Sequence, residues 1–106
     1  MEVIKLDIDD MVKIFPLIKQ LRVNLNFDDY VKNVKTMKLN GYQTFGLYVD
    51  GEIVSFVGFA EAMNLYYGNH IWVYDLVTDE SKRGRGYGKQ LLSFVEQYAK
   101  MQKIIT

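Results

Sequence analysis

The chain has 106 residues and no cysteine, which excludes disulfide bonds and metal sites built from thiolates. Its thirteen Lys and Arg residues balance thirteen Asp and Glu residues, so the formal net charge is zero. A dedicated nucleic-acid-binding protein derives its affinity from excess positive charge. No apolar run is long enough to cross a bilayer, and the acidic N-terminal residues are unlike a secretion signal. These absences predict a soluble cytoplasmic protein with no metal site and with no nucleic-acid or membrane partner.

The sequence contains a single proline and shows no repeat, low-complexity tract or linker. Its length is typical of one domain, so residues 1–106 are expected to form a single unit. A domain of this size buries a smaller fraction of its surface than a larger protein does. A partner chain would therefore add to its stability.

The first half of the sequence predicts one strand followed by two helices. Residues 2–6 alternate like a short strand, and apolar residues recur at helical spacing over residues 11–21. The single proline falls inside this helix and is expected to kink it or to restart it. A second helix is predicted over about residues 28–39, with Asn26 or Asp28 as its N-cap.

The middle of the sequence changes to the two-residue period of strands. Asp50 and Gly51 separate two β-rich runs, and both residues tolerate the positive φ of a type I′ turn, so a β-hairpin is expected. Residues 70–78, HIWVYDLVT, are nearly all apolar or aromatic, which is typical of a central strand covered on both faces. Apolar residues from Leu91 to Ala99 then form one stripe of an amphipathic helix.

The sequence RGRGYGK at residues 83–89 joins that strand to that helix. A helix N-terminus presents unpaired N–H groups and a positive dipole end, and glycines leave room for a phosphate to approach them. Arg83, Arg85 and Lys89 add positive charge at the rim of such a site. The segment is therefore predicted to bind a diphosphate.

Three other motifs fit the segment poorly. A P-loop needs a glycine five residues before Gly88 and Ser or Thr after its lysine, but Arg83 and Gln90 stand there. A dinucleotide fingerprint spaces its glycines as G-x-G-x-x-G in a β-α-β unit, whereas Gly84, Gly86 and Gly88 keep a two-residue step after antiparallel strands. An Arg-Gly segment that binds RNA is normally repeated and disordered, and this one occurs once.

The strand VYDLVT, the polar step DESK and the motif RGRGYGKQLL together resemble the acetyl-coenzyme-A-binding motif of the GNAT N-acetyltransferases. In that motif Gln or Arg is followed by two residues, Gly, one residue, and then Gly or Ala; Arg83, Gly86 and Gly88 occupy these positions. The resemblance covers nearly the whole chain in element order. It implies an α/β fold with a mixed sheet, in the order of one strand, two helices, three strands, a helix and the start of a fifth strand.

Carried over residue by residue, the resemblance implies acetyl-coenzyme A as the cofactor. The backbone of Leu76, Val77 and Thr78 would pair with its pantetheine arm. The pyrophosphate would be held by the loop residues Arg83, Gly84, Arg85, Gly86, Tyr87, Gly88 and Lys89. The implied activity is transfer of an acetyl group to a primary amine of a small molecule or a peptide.

Members of the family usually continue after the motif helix with a strand, a helix and a hairpin, whereas this sequence ends at KIIT. The resemblance therefore implies a C-terminally truncated domain whose last residues begin the next strand. An open apolar strand edge favours pairing with another copy, so a homodimer is expected. The alternative is a catalytically inactive module that keeps the cofactor site, or only the fold, and works by binding or dimerising.

Asp75 is the only carboxylate within residues 70–78 and directly precedes the implied cofactor-binding backbone, which makes it the candidate general base. The alternative is an Asp that only accepts hydrogen bonds from nearby backbone. His70 is either a second catalytic candidate or an ordinary solvated or capping histidine. The remaining candidates for an acceptor site are aromatic or acidic and could instead serve packing or capping: Tyr66, Tyr67, Trp72, Tyr74, Asp28, Asp29 and Glu61.

Overall fold

The computed structural model describes residues 1–101. They form β1 (Glu2–Lys5), α1 (Met11–Leu21), α2 (Phe27–Leu39), β2 (Gln43–Val49), β3 (Glu52–Asn64), β4 (Gly68–Thr78) and α3 (Tyr87–Met101). Single turns of 3-10 helix precede α1 and α3, at Ile8–Asp10 and Glu80–Lys82. The predicted order of elements through α3 is confirmed, and the predicted start of a fifth strand lies outside the described residues. None of the helices in residues 1–101 has the length and apolar character needed to cross a membrane.

The four described strands form one antiparallel sheet in the order β1-β2-β3-β4. Each strand therefore pairs with its neighbour in sequence, and β4 ends the described sheet. The turn between β2 and β3 falls at Asp50 and Gly51, whose φ angles are 52° and 80°. Positive φ at both central residues is what the predicted type I′ turn requires.

Two helical layers cover the sheet. α1 and α2 pack on one face, in a core that includes the fully buried Ile14 and Phe56. α3 packs on the other face, in a core that includes the fully buried Phe59 and Leu91. Phe56 and its neighbour Val57 thus point into opposite cores, as the two-residue period of a strand dictates.

The N-cap of α2 is Asn26, whose side-chain oxygen accepts a hydrogen bond from the N–H of Asp29 at 2.9 Å. Of the two predicted caps, the structure therefore selects Asn26 over Asp28. α1 continues through Pro16, so the predicted restart of the helix is wrong. The carbonyl that loses its partner to Pro16 belongs to Val12, and both residues are exposed, so water can solvate that carbonyl.

The prediction that β4 is covered on both faces is wrong over its middle. Trp72, Val73 and Tyr74 are 55%, 38% and 46% exposed, whereas Ile71 and Val77 are buried. The exposed residues lie on the outermost strand of the described sheet. A continuous apolar run indicates that a segment is apolar. It does not indicate how much of the strand the helical layers cover.

Candidate cofactor and acceptor site

A β-bulge in β4 determines which way the site residues point. Gly58 of β3 pairs with Asp75, but the next residue, Phe59, pairs with Val73. Tyr74 is therefore an extra residue that shifts the alternation of side chains by one position. Val73 shares the α3 face with Phe59, while Asp75 is turned to the face that carries α1 and α2.

Asp75 is held by side chains from two other parts of the chain. Arg22, which follows α1 directly, donates hydrogen bonds from Nε and Nη2 to Asp75 Oδ1 at 3.2 Å and 2.8 Å. Tyr42, which precedes β2, donates from its hydroxyl to Oδ2 at 2.9 Å. Arg22 Nη2 also donates to the carbonyl oxygen of Tyr74, the bulge residue, at 3.3 Å. Among residues 1–101, Asp75 thus accepts hydrogen bonds from side chains, and not from nearby backbone as the alternative interpretation held.

The Arg22–Asp75 ion pair runs from the surface into the protein. The side chain of Asp75 is 15% exposed and that of Arg22 is 53% exposed. Charge-assisted hydrogen bonds of this kind are stronger than those between neutral groups. Together with Tyr42 they hold the carboxylate in one orientation.

Tyr42 lies directly on Gly58. A Cβ atom added at residue 58 would lie 2.5 Å from Tyr42 Cζ, so the ring can occupy this place only because residue 58 is glycine. Burial, and then the charge of Asp75, raise the pKa of Tyr42 well above its ordinary value. The pKa of Tyr30 is raised by the same two causes. Both phenols therefore stay protonated, and the Tyr42 hydroxyl remains a hydrogen-bond donor to Asp75.

These groups line an open pocket of 270 Å³ between α1, α2 and β4. Its apolar walls are Ile18, Leu25, Val34 and Met37, and the rings of Tyr30, Tyr42 and Tyr74 complete it. Asp75 and Arg22 are the acidic and basic residues of this lining, and Asn33 is a further polar member. The volume lies just below the range for small-molecule sites, about 300–1,000 Å³, so the pocket suits a small ligand.

The RGRGYGK segment leads from β4 into the first turn of α3. Gly84 and Gly86 have φ angles of 84° and 81°, in the left-handed region that favours glycine. A Cβ atom at either position would meet nothing within 4 Å, so both border open space. The carbonyl of Gly86 accepts from the N–H of Gln90 at 3.1 Å, which makes Gly86 the N-cap of α3. The next three N–H groups have no acceptor within the helix, so the loop fits an anion such as a diphosphate.

Hydrogen bonds from side chains between β4 and the loop hold the start of the loop in place. Asp79 Oδ1 accepts from the N–H and the hydroxyl of Ser81 at 3.0 Å and 2.9 Å, and these bonds hold the pKa of the Asp79 carboxyl below its ordinary value. Arg83 Nε donates to the carbonyl oxygen of Thr78 at 3.4 Å. A Cβ at Gly88 would lie 3.4 Å from Thr78 Oγ1, so α3 begins close to the end of the strand.

The implied cofactor residues Leu76, Val77 and Thr78 are the last three residues of β4. They pair with β3 on one side, and within residues 1–101 no strand pairs with their other side. Backbone donors and acceptors on that side are available to an extended ligand. The strand end, the glycine loop and Asp75 thus form one continuous region.

Most other candidates lie outside the pocket. Of the four aromatic residues only Tyr74 lines it, whereas Tyr66 and Tyr67 are exposed in the β3–β4 turn and Trp72 is exposed on β4. His70 is buried, with Nδ1 3.0 Å from the carbonyl oxygen of Gly68, so the interpretation as a solvated histidine is wrong. The acidic candidates Asp28, Asp29 and Glu61 do not line the pocket either.

Arg22 and Tyr42 were not predicted from the sequence as site residues. They lie 53 and 33 residues from Asp75, in short connections without a motif. For Tyr42 the sequence gives no reliable signal: counting back from the predicted hairpin turn pairs Gln43 with Gly58, whereas a register shift between Leu47 and Tyr48 makes Phe59 its partner. For Arg22 no local signal distinguishes it from a basic residue at a helix end.

Comparisons with known proteins show the family and the fold of this chain. Residues 8–106 match the model of the acetyltransferase (GNAT) family. An uncharacterized N-acetyltransferase of Bacillus subtilis (strain 168), YhdJ, is 28% identical over 93 residues. The aligned region covers 87% of this chain and 66% of that protein, so the chain spans just under two thirds of the relative's length.

Solved structures share the fold at low identity. A GNAT family acetyltransferase of Staphylococcus aureus has a TM-score of 0.81 and 22% identity over 98% of this chain and 82% of that one. A ribosomal-protein-alanine N-acetyltransferase of Brucella melitensis biovar Abortus has a TM-score of 0.81 and 21% identity, over 98% of this chain and 75% of that one. A predicted acetyltransferase of Clostridium acetobutylicum, crystallised with acetyl-CoA, has a TM-score of 0.78 and 18% identity, over 97% of this chain and 75% of that one. With the fold shared and the family model matched over residues 8–106, the chain belongs to the GNAT family of acetyltransferases.

Proposed function

We propose that the chain transfers an acetyl group from acetyl-coenzyme A to a primary amine of a small molecule or a peptide. The observation that carries the proposal is the continuity of three parts within residues 1–101: a glycine loop at a helix N-terminus, a strand end that pairs on one side only, and a pocket lined by one carboxylate. Membership of the GNAT family supports it. The crystallised relative from Clostridium acetobutylicum was solved with acetyl-CoA.

The residues that would hold the cofactor follow the backbone from β4 into α3. The backbone of Leu76–Thr78 would pair with the pantetheine arm, and the N–H groups of residues 83–89 would bind the pyrophosphate. Arg85 and Lys89 would add positive charge beside it. Acetyl-coenzyme A, when bound, supplies a thioester carbonyl that an amine can attack.

Asp75 is proposed as the general base. An acceptor amine is an ammonium ion near neutral pH, and it must lose a proton before its nitrogen can attack a carbonyl carbon. Asp75 is the one carboxylate in the pocket lining. Arg22 donates twice to Oδ1, but Oδ2 accepts only from Tyr42 among the described residues. A lone pair on Oδ2 is therefore left to accept an N–H of the ammonium and to receive its proton.

Titration calorimetry with acetyl-CoA tests the cofactor site. The wild-type chain is expected to bind, whereas Gly86→Val loses binding because a β-branched residue is strained at a φ of 81° and fills the space before the amides. Gly51→Val is the matched control, since Gly51 has a φ of 80° and equally open surroundings in the β2–β3 turn. It is expected to bear the same strain and to keep binding. Equal affinity of Gly86→Val and the wild type would contradict the cofactor assignment.

Activity is tested on the same samples by following coenzyme A release with small-molecule and peptide amines. Release that depends on the amine supports the transfer reaction. A chain that binds acetyl-CoA but acetylates no amine would support the alternative, an inactive cofactor-binding or dimerising module.

A homodimer is proposed as the assembly. Trp72, Val73 and Tyr74 are exposed on the outermost strand of the described sheet, and a strand edge of this kind can pair with the same edge of a second copy. A two-fold axis brings the same surface of both copies together, so each would cover the apolar residues of the other.

A further inference from the structure

Arg22 has hydrogen-bonding capacity that the protein itself does not use. Three of the five N–H groups of its guanidinium donate to Asp75 and to the carbonyl of Tyr74. The two N–H groups of Nη1 have no acceptor among residues 1–101. Arg22 lines the pocket and is half exposed. It can therefore donate to an anionic group of a molecule that enters the pocket.

The unused hydrogen-bonding groups of Arg22 and Asp75 belong to two side chains that contact each other. Arg22 Nη2 lies 2.8 Å from Asp75 Oδ1. Arg22 keeps two hydrogen-bond donors on Nη1, and Asp75 keeps one acceptor lone pair on Oδ2. A ligand that presents an ammonium and a carboxylate one carbon atom apart matches both. Such a zwitterion also matches the charge of the lining, which contains one acidic and one basic residue.

The rest of the pocket is apolar and aromatic. Ile18, Leu25, Val34 and Met37 surround the ion pair, so the body of the ligand has to be apolar to gain from burial there. A polyamine or another polycation would find one carboxylate, already paired with Arg22, and apolar walls for its remaining charges. Desolvating those charges would be costly.

We infer that the acceptor is a zwitterionic amine with an apolar body, of the class of hydrophobic α-amino acids, whose carboxylate binds Arg22 and whose ammonium binds Asp75. The inference rests on the proposed function and specifies the acceptor class of the same site. Arg22 then determines specificity, because its guanidinium favours the binding of zwitterions over simple amines. The apolar walls disfavour the binding of polycations.

Matched pairs of amines test this on the full chain. L-phenylalanine and 2-phenylethylamine share an aromatic body and differ in the carboxylate, and L-leucine and 3-methylbutylamine form the same pair with an aliphatic body. Spermidine represents polycations. Two quantities are measured for each: kcat/KM from coenzyme A release, and binding without acetyl-CoA by saturation-transfer NMR. The wild type is expected to prefer at least one amino acid over its decarboxylated partner by about tenfold, with spermidine weakest.

Arg22→Met removes the donors and keeps an unbranched side chain. In this variant, kcat/KM for each amino acid is expected to be equal to or lower than kcat/KM for its decarboxylated partner. The reason is that Asp75, without Arg22, favours the simple cation. Arg22→Lys restores a charge and is expected to recover part of the preference. Lys13→Met changes an exposed basic residue of α1 and serves as the control that keeps the wild-type ratio. Loss of folded protein lowers both members of a pair equally and leaves their ratio unchanged.

The outcomes separate the inference from the proposed function. Acetylation of simple amines or spermidine as fast as the amino acids, or a ratio that Arg22→Met does not change, would overturn the inference while transfer stands. Binding of an amino acid that depends on Arg22, without acetylation of any amine, would refute transfer and keep the recognition mode. Absence of amino-acid binding in the wild type would overturn the inference.

Discussion

Tyr42 and Asp75 are joined by a hydrogen bond of 2.9 Å from the phenol hydroxyl to Oδ2, although 33 residues separate them. The bond depends on a third residue, because the ring of Tyr42 lies in the space that a side chain at Gly58 would fill. Gly58 is also the partner of Asp75 across the strand ladder. A glycine of β3 thus determines where the carboxylate of β4 is held.

Gly58→Ala is expected to destabilise the fold and to move Tyr42 away from Asp75. The new Cβ would lie 2.5 Å from Tyr42 Cζ, and overpacking of this kind costs about 1–3 kcal/mol of unfolding free energy. Chemical denaturation measures the change. Gly88→Ala is the control, since its Cβ makes an ordinary contact of 3.4 Å with Thr78 Oγ1 and a helical Gly→Ala change gains up to about 1 kcal/mol. Equal stability of the two variants would contradict the packing argument.

Alkaline pH is expected to destabilise the protein through Tyr42. Its folded pKa lies above the unfolded value of 10.0, first because of burial and then because of Asp75. The stability this provides is fully present below pH 10 and is lost as the pH rises further, because the unfolded phenol then ionises more readily than the folded one. Urea denaturation at pH 8 and at about pH 11 should show a smaller alkaline loss for Tyr42→Phe than for the wild type. Tyr66→Phe, at an exposed position, should behave like the wild type.

Arg83→Ala is expected to weaken acetyl-CoA binding by about two- to fivefold at low salt, the size of an exposed charge contact. The variant removes a rim charge and leaves the backbone amides of the loop in place. High salt screens the contact, so the affinities of variant and wild type should converge. Calorimetry at two ionic strengths measures this, with Lys35→Ala on α2 as the control. A difference that is independent of salt would instead indicate a change in loop structure.

The homodimer can be followed through Trp72, the single tryptophan of the chain, which is 55% exposed. If β4 pairs with a second copy, acrylamide should quench its fluorescence less as protein concentration rises. Trp72→Lys is expected to yield a monomer by light scattering, because a charged lysine on the edge strand opposes its pairing with a second copy. Val12→Lys places the same charge on the exposed side of α1 and should leave the mass unchanged. A wild-type monomer at all concentrations would refute the dimer.

The parts of the fold that the sequence predicts are those with local signals. The turn at Asp50 and Gly51 follows from the φ angles these residues tolerate, and the cap at Asn26 follows from its side-chain acceptor. The glycines at 84 and 86 were predicted to leave backbone amides accessible, and the structure places both at positive φ beside open space. In each case the residues that decide the structure are neighbours in the chain.

The acceptor side of the site follows from contacts that no local pattern encodes. Arg22 reaches Asp75 only after α1 has packed on the sheet, and Tyr42 reaches it only because of the register between β2 and β3. The bulge at Tyr74 has no sequence mark either, since Tyr74 is an aromatic residue of the kind that occurs elsewhere in the same strand. Asp75 itself was identified because a lone carboxylate in an apolar strand stands out in the sequence.

The bulge at Tyr74 has a consequence for how related chains diverge. Deleting the codon of Tyr74 would restore a regular ladder with β3, because Val73 would still pair with Phe59 and Asp75 with Gly58. Asp75 would keep its face of the sheet, but the pocket would lose the ring of Tyr74, and Arg22 would lose the carbonyl that accepts its third hydrogen bond. A lineage can therefore reshape this pocket by deletion alone. A comparison that counts only substitutions would still score Arg22 and Asp75 as retained, so strand length has to be compared as well as residue identity.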